Sequence, residues 1–347
     1  MSLLEEAQLV PDDSAAKREA RSLREQLRIR DEELVEVRRL LDFTTAIDQA
    51  KLRPPRWLTP KRAPHGTGIV CVTLTDAHFD EVVRPEEMFD YNAYNREIAE
   101  IRLRRWADKT ISLSRDHISG MDWQGLTVFV GGDIFSGTIH EELAETNADT
   151  LYGSVVHWLE QVEAALLALA DYCGQMHIAV TVGNHGRRTR KPRAKLRVRD
   201  NSEWLFWRVM ERNLRADKRI TWSIPEAMDT FVTIYSTRYQ LTHGDQFRGG
   251  SGISGVLTPL MLGAHRKTRK AMAMGQPYEV LVLGHFHQYL HLPGIIMGGA
   301  LKGYDEFASS INVVPEPPTQ AYWITDPHWG VSISAPLHVG DRKAEGW

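Results

Sequence analysis

Eight residues of this chain carry side chains that bind metal ions or transfer protons, and they fall in five short segments. Five of the fourteen histidines lie there, beside small residues such as Gly132 and Gly183 that let a backbone approach a ligand closely. Taken singly, each residue is explained as a turn former, a helix cap or a hydrogen-bonded structural histidine. Their coincidence favours one shared site. The eight residues are Asp76, His78, Asp133, Asn184, His185, His243, His285 and His287.

The mixture of donor types indicates which ions such a site would bind. Imidazoles, carboxylates and one amide suit borderline or hard divalent ions, with Mn²⁺ as the first expectation and Zn²⁺, Fe²⁺ or Mg²⁺ as alternatives. The cysteines, Cys71 and Cys173, lie outside the five segments, which argues against a structural zinc site. Both sit in apolar runs and are expected to be free thiols in a reducing compartment.

Apolar runs alternate with helical patterns through the first half of the chain, which predicts a βαβαβ order. The second half is richer in hairpin-like strands, so an α/β fold of two stacked sheets flanked by helices satisfies both halves. Loops after the carboxyl ends of strands converge on one sheet edge, and each of the five segments follows such a run. The predicted strands include Gly68–Leu74, Leu126–Gly132, His177–Gly183, Thr230–Ser236, Tyr239–Gly244 and Glu279–His285, and the predicted helices lie near Asn92–Ile118, Glu142–Cys173 and Ser202–Leu214.

The five segments read, in chain order, DAH, GGD, GNH, HGD and GHFH. This series resembles the motifs of the calcineurin-like metallophosphoesterase superfamily, and it spans most of the chain. The resemblance implies a two-sheet αββα sandwich and a centre with two divalent metal ions. The ligands that it implies are Asp76, His78 and His287 for one ion, Asn184, His243 and His285 for the other, and Asp133 as the bridge between them.

The resemblance also implies a reaction, the hydrolysis of a phosphoester. A pair of divalent ions lowers the pKa of a bridging water, and the hydroxide attacks phosphorus in line. His185 matches the position that protonates the leaving oxygen, so His185 and its neighbour Asn184 are the implied catalytic residues. Ser136 and Gly137 stand where protein phosphatases carry an Asp and an Arg, which argues against that class. The string GGDIF is similar to a motif of the nuclease branch related to double-strand-break repair exonucleases.

A basic run follows directly after His185, in a chain whose formal net charge is only −3. Such runs are usually solvated faces or docking strips, but this position beside a catalytic segment favours a groove for a phosphate backbone. We therefore expect a nuclease or phosphodiesterase acting on DNA or RNA. A small phosphoester, such as a cyclic nucleotide or a nucleotide monoester, is the alternative substrate, and an inactive nucleic-acid-binding scaffold is a third hypothesis. The expected substrate-binding residues are Arg187, Arg188, Arg190 and Lys191.

The N-terminal part of the chain has a different pattern. Apolar residues from Ala16 to Leu41 alternate in steps of four and three, broken at Arg30, which predicts a helix or coiled coil. It would either join two protomers in a homodimer or lie as a lone amphipathic helix on its own catalytic domain. Prolines and basic residues then predict a linker. The predicted organisation is a helical or coiled-coil segment at 1–50, a Pro-rich linker at 51–66 and a metallophosphoesterase catalytic domain at 67–347.

Composition sets the broad class. A hydrophobic fraction of 42% in 347 residues is ample for a buried core, which excludes a disordered chain. The first residues are acidic and lack a basic region followed by an apolar stretch, and no window approaches the roughly 18 apolar residues of a membrane span. We expect a cytoplasmic protein that has no membrane partner.

Overall fold

The computed structural model describes residues 21–32, 34–35, 55–59, 66–247 and 255–347. The chain divides into two compact units, Met1–Arg53 and Pro54–Trp347. In the first unit, residues 21–32 and 34–35 are helical and exposed. The rest of the predicted N-terminal helix and most of the predicted linker lie outside the described residues. A homodimer formed through this segment stays a prediction.

The second unit contains two β-sheets. Strands β1 to β4 run parallel in one sheet, and β10 and β11 extend it antiparallel on the β1 side, in the order β11-β10-β1-β2-β3-β4. The second sheet has the order β5-β6-β7-β9-β8. The strands are β1 Thr67–Thr75, β2 Asp122–Gly132, β3 Met176–Val180, β4 Ile220–Ser223, β5 Asp229–Ile234, β6 Thr237–Thr242, β7 Val280–Leu283, β8 Leu290–Leu292, β9 Ile295–Met297, β10 Thr319–Asp326 and β11 Gly330–His338.

Helices connect the strands. The longest of them begins at Thr150, whose hydroxyl caps it by accepting a hydrogen bond from Gly153 N, and it ends at Gly174, which takes the left-handed backbone of a C-cap (φ 71°). Short 3₁₀ turns cover Pro85–Met88 and Leu214–Ala216, and a π turn covers Leu113–His117. The α-helices of the second unit are α1 Arg96–Ser112, α2 Glu141–Thr146, α3 Leu151–Cys173, α4 Ser202–Asn213, α5 Leu257–Ala273, α6 Glu306–Ser310 and α7 Arg342–Glu345.

Strand β1 shows how the sequence separates two cores. Side chains alternate along a strand, so Ile69 and Cys71 point to one face while Val70 and Val72 point to the other. Ile69 and Cys71 pack with Val232, Val282 and other residues of the second sheet, forming a core between the two sheets. Both faces of β1 are therefore buried, and the strand reads as an almost continuous apolar run.

Helices cover the outer face of each sheet. Trp106 of α1, Trp158 of α3 and Trp207 of α4 are fully buried against the outer face of the first sheet. Leu260 and Ala264 of α5 pack on the outer face of the second sheet. The layers thus run helix, sheet, sheet, helix. The fold class predicted from the sequence, two stacked sheets flanked by helices, is confirmed.

The structure departs from the predicted elements in several places. The helix expected over Glu142–Cys173 is interrupted between α2 and α3, where Thr150 starts a new helix. The prolines near Leu58 predicted that this residue lies in a linker. In the structure Leu58 is fully buried in the core between the sheets, and its carbonyl accepts a hydrogen bond from Tyr235 N. Strands β4, β8, β9, β10 and β11 and helices α5, α6 and α7 were not predicted. Strands β8 and β9 have three residues each, which are too few to show a period.

Two further predictions from the sequence concern the cysteines and membrane-spanning segments. Cys71 is buried and Cys173 partly buried, and both are free thiols. Within the part of the chain that the structure describes, no helix combines the length and apolar character needed to cross a membrane.

Candidate metal centre

The carboxyl ends of β1, β2, β3, β6 and β7 bring their loops to a common place, as the strand-end rule predicts. Three groups of side chains there could hold metal ions, and within each group the ligand atoms lie within 4.8 Å of one another. Asp133 belongs to two of the groups and His78 also belongs to two, so these two residues link all three groups. The groups are Asp76, His78 and His287; Asp133, His243 and His285; and His78, Asp133 and His185.

Asn184 joins the second group through its side-chain oxygen. His243 Nε2 lies 3.1 Å from Asn184 Oδ1 and 2.9 Å from Asp133 Oδ2. His243 Nδ1 donates to the carbonyl of Gly131 at 2.8 Å, which turns Nε2 towards the other ligands. All eight residues singled out in the sequence are therefore brought together at one site.

The backbone at the site is strained. Five candidate ligands adopt a left-handed backbone, which is uncommon for residues other than glycine and costs on the order of 1–3 kcal/mol each. Such conformations persist only where surrounding contacts hold them, and they concentrate at functional sites. The residues and their φ angles are Asp76 (50°), His78 (46°), Asp133 (51°), His285 (72°) and His287 (56°).

Glycines in the motifs allow the loops to touch. A Cβ atom on Gly183 would lie 2.0 Å from Asp133 Oδ1, and one on Gly284 would lie 2.3 Å from Asp76 Oδ2. Neither neighbour is a flexible chain end that could move aside, because both are candidate ligands. Glycine at these two positions therefore sets the spacing between strand ends that the centre needs.

Backbone amides hold both carboxylates in place. The amide of His285 donates to Asp76 Oδ2 at 2.9 Å, and the hydroxyl of Thr75 donates to the same oxygen at 2.6 Å. The amide of His185 donates to Asp133 Oδ1 at 2.7 Å. Each carboxylate is thus tied to a neighbouring motif, so the loops position one another's ligands.

The electrostatics of the centre favour a cation. Burial opposes the charged form of His243, but the carboxylate of Asp133 outweighs burial and raises the pKa of that imidazole to about 10. The same negative field would attract a divalent ion, which replaces the imidazole proton. Burial lowers the pKa of His78 and His285 to about 4, so both are neutral and able to ligate near pH 7.

His78 gives a direct indication that the donors fit a metal. Its ring is 1% exposed, and Nδ1 lies 3.0 Å from Glu81 Oε2, whereas Nε2 makes no hydrogen bond to any described residue. Buried polar atoms are nearly always satisfied, so an unpaired Nε2 among carboxylates points to a ligand outside the polypeptide. The residues at this site therefore fit a divalent cation.

The structure identifies what orients His185, a group that the sequence left open. His185 Nδ1 donates to the carbonyl of Ser136 at 2.7 Å, which leaves Nε2 for a substrate. A Cβ atom on Gly137 (φ 72°) would lie 2.1 Å from the carbonyl oxygen of His185, so only glycine fits there. Ser136 and Gly137, which argued against a protein phosphatase, thus shape the position of His185.

Glu203 is a fully buried carboxylate that sequence reasoning missed. Its Oε1 accepts from Ile134 N at 3.2 Å and its Oε2 from Gly183 N at 2.9 Å, so it joins the loops after β2 and β3. Burial, assisted by the charge of Asp133, raises the pKa of Glu203 to about 8. Glu203 lies at the start of α4, outside the five motifs, so nothing in the sequence indicated that it contacts the loops of the centre.

A second missed group lies behind His78. Glu81 Oε2 is 3.0 Å from His78 Nδ1, and Glu81 Oε1 accepts from Lys302 Nζ at 2.6 Å. Asp305 pairs with the same ammonium group. Burial opposes charge on Glu81, but Lys302 and His78 more than compensate and hold its pKa well below the usual range. In the sequence, only the short spacing between His78 and Glu81 indicated that their side chains could be close.

The basic run forms a loop beside the centre, which we call the basic loop (residues 187–200). Arg187 donates to the carbonyls of Asn184, Thr189 and Arg190. These hydrogen bonds hold the backbone of the loop in its conformation. Arg188 pairs with Asp200 at 3.2 Å, and Arg190 pairs with Glu141. Lys191 is exposed. Substrate binding by these four residues stays a prediction.

No protein-family model and no curated protein matches the sequence. Among solved structures, the chain is similar to vacuolar protein sorting 29 from Cryptosporidium parvum, with 11% identity over 78% of this chain and 96% of that chain and a TM-score of 0.31. It is similar to a predicted phosphoesterase from Streptococcus pneumoniae TIGR4, with 11% identity over 78% and 97% of the chains and a TM-score of 0.28. It is also similar to the sulfate thiohydrolase SoxB from Thermus thermophilus, with 9% identity over 80% and 58% of the chains and a TM-score of 0.31. Likenesses this distant carry no function to the chain.

Proposed function

We propose that the chain is a metal-dependent phosphoester hydrolase of the calcineurin-like metallophosphoesterase superfamily, acting as a nuclease or phosphodiesterase on DNA or RNA. The observation that carries the proposal is the linked set of three ligand groups, in which Asp133 is the carboxylate that belongs to two of them. A carboxylate in that position can bridge two divalent ions, and a bridged pair is the arrangement that many phosphoester hydrolases use.

The donor set decides which ions would be held and where. Asp76, His78 and His287 would hold one ion, and Asn184, His243 and His285 would hold the other, both sharing Asp133. Nitrogen and oxygen donors without a thiolate suit Mn²⁺, with Zn²⁺, Fe²⁺ or Mg²⁺ as alternatives. When bound, such a pair of ions supplies a water of lowered pKa and neutralises charge on the phosphate.

The residues of the chain contribute position and a proton. His185 donates its Nδ1 hydrogen to Ser136 O, so Nε2 can carry the proton that the leaving oxygen needs. The rings of His78 and His185 lie 4.5 Å apart between centroids, so His185, the acid that we propose, is next to the ligand group. His185 is therefore within reach of a phosphoester held at the centre. Asn184 precedes it and holds the same loop against His243.

The basic loop favours a polyanionic substrate. It begins two residues after His185, and its charge would attract a phosphate backbone. The pairs Arg188–Asp200 and Arg190–Glu141 reduce that field, which favours a small phosphoester as the second candidate. The full ligand set at the centre argues against an inactive scaffold.

A substrate panel tests the proposal. The full-length chain, stripped of metal and reloaded with Mn²⁺, is assayed on a single-stranded oligonucleotide, a duplex, bis-p-nitrophenyl phosphate and a nucleotide monoester. We expect turnover of bis-p-nitrophenyl phosphate and of at least one oligonucleotide. Turnover of the monoester alone would support the small phosphoester instead. No turnover of any substrate would contradict an enzymatic function.

A further inference from the structure

The cations of the basic loop differ in what they contact. Arg197 forms a largely buried pair with Asp245, and Arg199 lies over the ring of Trp204 and pairs with Glu226 at 3.6 Å. With Arg187, Arg188 and Arg190 already engaged as described above, most of the guanidinium groups have partners. Among the described residues, the loop cations without an ion pair or a side-chain hydrogen bond are Lys191, Arg193 and Lys195.

Two of these unpaired cations line a cleft beside the metal centre. Arg193 and Lys195 line it together with Arg187, Asp200, Gly183 and Asn184. Asn184 is a candidate metal ligand, so the cleft borders the candidate metal centre. Lys191 does not line the cleft.

The basic loop is fixed at its base and near its end. Arg187 and Asn201 form a β-bridge, and Ser202 N donates to Gly186 O at 2.9 Å, which closes the base of the loop. The Arg197–Asp245 pair ties the loop to the segment that carries His243. Because the loop is held in this way, its backbone loses little conformational entropy when a ligand binds to its cations.

We propose that the exposed side chains of Arg193 and Lys195 at this cleft form a phosphate subsite and bind the phosphodiester next to the one that is hydrolysed. Two unpaired cations at one cleft beside a metal centre suit a polymer that carries a further phosphate next to the scissile one. The substrate class is then a polynucleotide, not a mononucleotide. This inference rests on the proposed function and specifies its substrate.

The test is binding of a fluorescein-labelled single-stranded oligonucleotide to the full-length chain in chelator, measured by anisotropy over a series of salt concentrations. R193A/K195A should weaken binding roughly ten-fold at low salt, and the slope of log K against log salt should become shallower by about 0.7, as expected for one lost phosphate contact. The charge-preserving variant R193K/K195R should retain most of the binding. The matched control is R104A/K109A, which removes the same charges from the exposed face of α1.

Activity measurements distinguish a failure of this inference from a failure of the proposed function. In Mn²⁺, R193A/K195A should lose at least about ten-fold more activity on the oligonucleotide than on bis-p-nitrophenyl phosphate, which has no flanking phosphate. Binding by R193A/K195A equal to that of R104A/K109A would overturn the subsite even if the wild type hydrolyses both substrates. If the wild type hydrolyses neither, the proposed function fails, and a binding loss specific to R193A/K195A would still support the subsite.

Discussion

The metal centre and the basic loop lie side by side but are built in opposite ways. At the metal centre, Asp76, Asp133 and His243 are at most 1% exposed, and amides of neighbouring motifs hold the carboxylates. In the basic loop, Arg188 and Arg190 are about 70% exposed and pair with acids at the surface. Contacts at the centre are buried and mutually dependent, whereas contacts in the loop are screened by solvent.

This difference in burial predicts which substitutions should reduce activity strongly and which should reduce it only slightly. Replacing a buried ligand changes the local charge and the positions of several loops together, because each loop holds a ligand of another. Replacing an exposed, ion-paired arginine removes an interaction that is typically worth about 0–1 kcal/mol. The variants below test that ordering, beginning with the largest effect.

Asp133→Asn should break the metal centre most completely. The substitution keeps the shape of the side chain but removes the charge of a carboxylate that belongs to two of the three ligand groups. We expect activity on bis-p-nitrophenyl phosphate to fall by about 10³-fold or more, since a bound metal contributes several kcal/mol to transition-state stabilisation. Metal content, measured by mass spectrometry, should fall as well. Full activity with full metal content would refute the role of Asp133.

His185→Asn should separate proton donation from metal binding. A general acid contributes about 10²–10⁴-fold when the leaving group is a poor one. We therefore expect at least a 10²-fold loss on an alkyl phosphodiester, with a much smaller loss on p-nitrophenyl esters, whose leaving group needs no proton. Metal content should match the wild type. Equal losses on both kinds of ester would rule out His185 as the acid.

Glu203→Gln tests whether the loops of the metal centre depend on a group that touches no candidate ligand side chain. The amide places a donor against the N–H of Gly183 or Ile134, which should destabilise the fold by about 1–3 kcal/mol. Activity should fall about 10- to 100-fold, as for other outer groups that support metal ligands. Thermal unfolding and kinetics measure both effects. Glu211→Gln on the same helix α4 is the control, and an equal effect there would remove the special role of Glu203.

The smallest effect is expected in the basic loop. Arg188, Arg190 and Lys191 replaced together by Ala should lower oligonucleotide turnover only a few-fold, about two- to five-fold, because two of the three side chains are already ion-paired at the surface. The loss should shrink as salt is raised, since the wild type has more phosphate contacts to lose to salt than the variant. Kinetics at two salt concentrations measure this. A loss larger than that of R193A/K195A would reverse the ranking of these cations.

The sequence was informative about the metal centre because its ligands follow strand ends in short motifs. Asp76, Asp133 and His243 each come directly after a strand, and strand order then decides which of them meet. Two stacked sheets were predicted from the order of elements, since apolar runs alternate with helical patterns in the first half of the chain and hairpin-like strands follow in the second half.

Other features had no local signal. Glu203 reaches Gly183 and Ile134 only after the chain folds, and Lys302 meets Glu81 across more than two hundred residues. The run of arginines predicted a charged groove, but a sequence cannot show which guanidinium groups are paired. Arg197 and Asp245 became partners through the fold, whereas Arg193 and Lys195 did not.

The most direct test of a two-metal phosphoesterase is a metal titration of the stripped, full-length chain with bis-p-nitrophenyl phosphate as substrate. We expect hydrolysis to be absent without metal, to rise with added Mn²⁺ and to reach its maximum at about two ions per chain. A folded chain that shows no hydrolysis at any Mn²⁺ concentration would contradict the assignment.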